Sequence, residues 1–81
     1  MKSFCRYVEV EKRMMKFNFT YVQLPNGNKF FVAVFDNQEL EVNFEMRLEK
    51  EHNWIILPPA PDWIISCEKK LSILINEQIL L

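Results

Sequence analysis

Apolar and polar side chains alternate with a period of two over much of residues 17–46, and two breaks rich in turn-formers divide that run into strands at 17–24, 29–35 and 40–47. The first break holds Asn26-Gly27, a strong short-range hairpin signal because both residues tolerate the positive φ of a type I′ turn. With those two as the loop, Gln23 lies opposite Phe30, Tyr21 opposite Val32 and Phe19 opposite Val34. Phe17, Phe19, Tyr21, Phe30, Val32 and Val34 then share one face. The third strand puts Leu40, Val42, Phe44 and Met46 on one side and Glu41, Asn43, Glu45 and Arg47 on the other. A two-residue second turn, Asn37-Gln38, would send its apolar side away from the first cluster. A three-residue turn, 37–39, gathers ten apolar side chains on one face and is the expected register.

That register leaves a second apolar surface. Phe31, Ala33 and Phe35 fall on the far face, next to Val22 and beside Glu41, Asn43 and Glu45. A strand apolar on both sides is usually covered on both. Either the N-terminal segment or a loop folds over these phenylalanines, or Val22, Phe31 and Phe35 form an interaction surface, since large exposed apolar patches are uncommon on soluble monomers.

The rest of the chain is placed around this ribbon. Residues 4–10 contain the β-formers Tyr7, Val8 and Val10 without a clean apolar side, and read as a further strand or an ordered arm. Residues 1–14 read as a less ordered arm if Met14 or Met15 serves as an alternative start. Residues 54–57, Trp-Ile-Ile-Leu, form a fourth strand, ended by the prolines at 58, 59 and 61. From there a helix is expected over 61–79, with Pro61 and Asp62 suited to its first turn. Its apolar stripe is Ile64, Cys67, Leu71, Leu74, Ile75 and Gln78, widened by Trp63, Ile73 and Ile79, while Lys69, Ser72 and Asn76 lie opposite. A rival reading makes 63–66 a strand, with Ser66 capping a shorter helix from Cys67. The expected fold is α+β: an antiparallel meander of three to five strands packed on one C-terminal helix, in two layers.

Length changes this picture only by setting its scale. Eighty-one residues make one domain, 1–81. A chain that is 49% hydrophobic and 14% aromatic holds more apolar side chain than a small two-layer domain readily hides, which favours self-association. The formal net charge of −1 argues against non-specific nucleic-acid or membrane attraction. Its distribution is uneven: residues 1–16 hold five basic residues against two acidic, and residues 36–51 hold six acidic against two basic. Cys5 and Cys67 read as reduced thiols in a cytoplasmic protein, because residues 1–16 lack the apolar core of a secretory signal. No apolar run is long enough for a membrane-spanning helix.

Candidate chemistry is sparse. Glu49-Lys50-Glu51-His52 contains a Glu-x-x-His spacing, but His52 is the sole histidine and the carboxylate-bridged sites that use this spacing need a second one. Nucleophilic catalysis would need Cys5 or Cys67 near His52. No Walker loop, dinucleotide fingerprint or zinc-knuckle spacing occurs. Phe31 and Phe35 could stack bases, yet Asp36, Glu41 and Glu45 beside them would repel phosphates. A meander followed by a helix occurs in many unrelated proteins, so fold says little about function. The expectation is a non-enzymatic protein-interaction module, without a cofactor or metal, that pairs with itself or another protein through Val22, Phe31 and Phe35. The first alternative is a small-molecule or peptide binder with a pocket between helix and sheet near Tyr21, Trp54 and Trp63. The second is a nucleic-acid accessory protein using Lys12, Arg13 and Lys16.

Overall fold

The computed structural model of the protein describes residues 3–35 and 41–79. Five antiparallel strands lie side by side in chain order: β1 (Ser3–Val10), β2 (Arg13–Leu24), β3 (Gly27–Phe35), β4 (Glu41–Lys50) and β5 (Asn53–Leu57). A short helix α1 (Asp62–Ile65) and a longer α2 (Glu68–Ile79) follow. The fold is α+β in two layers, a meander sheet with helices on one face. The N-terminal segment joins this sheet as its edge strand, paired with β2 from Ser3↔Thr20 to Val10↔Arg13, with Val8 and Val10 in the core.

The β2–β3 register is displaced by two residues from the expected one. Tyr21 lies opposite Phe30, Phe19 opposite Val32 and Phe17 opposite Val34, and the loop between the Leu24↔Gly27 pair is Pro25-Asn26. Proline decides this. Its fixed φ suits the first loop position, and it has no N–H to give a ladder, so it belongs in the turn and not in the strand beside it. A slip of two preserves side-chain parity, so every face assignment survives. The β3–β4 register, from Lys29↔Arg47 to Phe35↔Glu41, is the one a three-residue turn requires. Leu40 and the turn itself lie outside the described residues.

The covered face carries Phe17, Phe19, Phe30, Val32, Val34, Phe44 and Met46, all buried, with Trp54 and Ile56 from β5. Ile64, Cys67, Leu71 and Ile75 pack onto it from the helices. Leu74 and Gln78 of the expected stripe are half-buried, whereas Ile73 and Ile79, expected to widen it, are exposed, and the helix is not continuous. Ser66 Oγ donates to the Trp63 carbonyl, a local bond that competes with helix propagation. Backbone bonds from Cys67 N to Ile64 O and from Leu71 N to Cys67 O carry the chain into α2. Residues 63–65 lie within α1 and Ser66 follows as its C-cap, so no strand forms there.

Ser72 and Asn76, expected to face solvent, instead dock the helix onto β5. Glu68, Ser72 and Asn76 are spaced by four and so form one line along α2. Glu68 Oε2 accepts from Ile56 N at 2.8 Å, Ser72 Oγ accepts from Trp54 N at 3.0 Å, and Asn76 Oδ1 accepts from Trp54 Nε1 at 3.1 Å. Asn76 Nδ2 donates to the His52 carbonyl at 2.7 Å and Ser72 Oγ to the same oxygen at 3.3 Å. These bonds occupy the backbone groups that an edge strand would otherwise offer to another strand.

Two substitutions probe this arrangement. The β1–β2 turn is Glu11-Lys12, both at positive φ (50° and 66°), a conformation that costs ordinary residues free energy. Replacing them with Asn-Gly (E11N/K12G) is expected to raise stability by roughly 1–2 kcal/mol, read as a higher urea midpoint at constant m-value. Ser72 is only 7% exposed, so S72A strands the Trp54 N–H away from water and is expected to cost about 1–3 kcal/mol. The exposed control Ser66→Ala should stay within ~0.5 kcal/mol of the parent.

Candidate functional site

The helices cover one side of the sheet and leave the other open. On the open side the register builds cross-strand rows: Thr20, Phe31 and Glu45 in one, Asn18, Ala33 and Asn43 in the next, and Phe35 with Glu41 in a third. Lys16, one residue beyond the Phe17↔Val34 pair, continues that third row on the β2 side. Phe31 is 42% and Phe35 51% exposed, while Ala33 between them is half-buried. The result is two aromatic ridges with a hollow of about 440 Å³, floored by Ala33 and walled by Asn18, Asn43 and Phe31. Tyr7 and Met14 extend the apolar surface along β1 and β2.

Polar groups frame these ridges without covering them. Lys29 Nζ bonds Glu45 Oε1 at 2.7 Å and lies 5.1 Å from the centre of the Phe31 ring. This partly exposed pair contributes little stability by itself, on the order of 0–1 kcal/mol, but it fixes the ring's surroundings. Asn43 Nδ2 donates to Glu41 Oε2 at 3.0 Å, holding that carboxylate beside Phe35. Val22, paired with Lys29 on the same face, is half-buried and borders both this surface and a neighbouring cleft.

That cleft, of about 860 Å³, opens where the end of α2 meets the sheet. Phe4, Tyr21, Phe30 and Trp54 line it, and Phe30 sits at their centre with ring centroids 5.8, 5.2 and 5.1 Å from the other three. Of the three residues the sequence grouped around a pocket, Tyr21 and Trp54 come together here and Trp63 does not line it. Trp63 stands instead in α1, where its carbonyl accepts from Ser66 Oγ and Cys67 Sγ. Phe4, Gln78 and Ile79 are cleft residues that sequence reasoning did not assemble, because only the β1–β2 pairing and the end of α2 bring them to Tyr21.

The remaining candidate groups are scattered. Lys12 sits in the β1–β2 turn, and Arg13 and Lys16 point to opposite faces of β2, so the three basic residues do not converge. His52 is exposed in the β4–β5 turn at φ 60°. Among the described residues no group of three or more His, Cys, Asp or Glu side chains could hold a metal ion. No described helix is long and apolar enough to cross a membrane. Comparison with protein-family models, with curated proteins and with solved structures finds no match.

Cys5 is exposed on the open face and Cys67 is buried. Ellman's reagent is therefore expected to titrate one thiol per folded chain at once and the second only on unfolding. Two fast thiols in the folded protein would contradict the burial of Cys67 between α1 and α2.

Proposed function

We propose that this chain is a single-domain, non-enzymatic protein-interaction module of the cytoplasm, and that it pairs with a second copy of itself through the open face of the sheet. One observation carries this reading: Phe31 and Phe35 stand exposed on that face with no described element over them, although helices pack on the opposite face. Burying them against another surface recovers about 25 cal/mol for each Å² of apolar area removed from water.

The charge pattern favours a second copy as the occupant. Across Phe35 the face is positive on the β2 side, at Lys16, and negative on the β4 side, at Glu41. A two-fold axis running parallel to β3 lays β2 of one copy over β4 of the other. Lys16 of each copy then meets Glu41 of the other, and the aromatic ridges meet their equivalents. Such an isologous contact satisfies both charge pairs with a single surface. Strands about 4.8 Å apart and residues about 3.3 Å apart make this face roughly 500–600 Å² per copy. That is the small end for specific interfaces, so a weak dimer is expected, with a dissociation constant in the micromolar range.

Sedimentation equilibrium over a range of concentrations tests the assignment. The parent should dimerise, F31K should be monomeric, and K16E should weaken association. Combining K16E with E41K should restore it, since the pair is then reversed and still complementary. A parent that stays monomeric into the high micromolar range would remove the proposal, and so would a double reversal no better than the single one.

A further inference from the structure

The cleft between the end of α2 and the sheet is built differently from the open face, and the geometry points to a binding site for a neutral aromatic ligand. Its volume of about 860 Å³ falls within the range of small-molecule sites. No acidic or basic side chain is among the described residues that line it. A charged ligand would therefore give up its hydration there with no charged side chain among the described lining to replace it.

The walls are set in place before any ligand arrives. Phe4 stacks on Phe19 at 4.6 Å, Trp54 meets Phe30 edge-on, and the indole N–H of Trp54 is already committed to Asn76. Trp54 therefore offers the cleft ring surface and no free donor. Donors come from the amides of Gln23, Asn28 and Gln78 around it. The carbonyl of Gln78 accepts a bond from Arg6, which leaves its NH₂ as the end that can donate. The Arg6 guanidinium itself is turned to the Cys5 carbonyl, to Gln78 and to the Phe4 ring. Leu48 and Ile79 border the cleft at 45% and 40% exposure, apolar surface that an occupant would take out of water. Flat apolar walls with neutral amides among them select an uncharged aromatic ligand over an ion or an alkyl chain.

Two dyes that differ by one sulfonate test this: N-phenyl-1-naphthylamine, which is neutral, and 1-anilinonaphthalene-8-sulfonate, which is anionic. In W63F, Trp54 is the only tryptophan and reports on the cleft by energy transfer to the bound dye. The neutral dye is expected to bind saturably, one per chain, and the sulfonate about tenfold or more weaker. Q78F and N28F, each adding a ring from a different wall, should each weaken the neutral dye by about tenfold or more while the melting temperature stays near that of the parent. F31K, on the open face, should leave binding unchanged. Non-saturable binding, equal affinity for the two dyes, or loss of binding in F31K with retention in Q78F and N28F would overturn the assignment. Because F31K also blocks the proposed dimer, retained binding in that variant separates this site from the self-association face.

Discussion

The line of polar side chains Glu68, Ser72 and Asn76 sets how the helical layer meets the sheet. An apolar stripe can slide along or rotate over an apolar surface at little cost, whereas bonds to Ile56 N, Trp54 N and the His52 carbonyl fix α2 along β5 to within a fraction of a residue. They also close the β5 edge of the meander. Once α2 is held there, Leu71 and Ile75 drop onto the buried face, and the end of the helix stands over Phe30 and Trp54 as one wall of the cleft.

With both helices committed to one face, no described element covers the opposite face. β3 is apolar on both sides, and β1 extends the sheet instead of crossing it, so Phe31 and Phe35 remain at the surface. The two candidate surfaces differ in physical character. The open face is a broad ridge with complementary charges on either side, suited to a partner of similar shape. The cleft is concave and aromatic, with no charged side chain among its described lining, and is suited to something small.

Much of this was legible in residue order, and the exceptions have identifiable causes. Alternation located the strands, and the clustering of apolar positions chose the β3–β4 register. Asn-Gly marked the β2–β3 turn within a residue or two, but Pro25 moved the loop back by one position, a stronger constraint than glycine's freedom. The β1–β2 hairpin was harder because Glu11-Lys12 carries no turn signature and is held at positive φ by the strands it joins. Ser72 and Asn76 look like solvent positions by polarity alone; their spacing from Glu68 is visible, yet only the edge of β5 gives it meaning. Of the three residues grouped around a pocket, Tyr21 and Trp54 both line the cleft, while Trp63 is drawn away by its place in α1.

The meander order has a consequence for how the molecule forms. Each strand pairs with its immediate successor, so a growing chain can zip the sheet from its amino end with only short loops to close, a route that favours rapid assembly. The element that shuts the last strand, however, is also the last of the described elements to be synthesised. Between the emergence of β5 and that of α2, the nascent sheet presents an unguarded border and an unroofed interior together, and this interval is when the polypeptide is most exposed to capture by its neighbours.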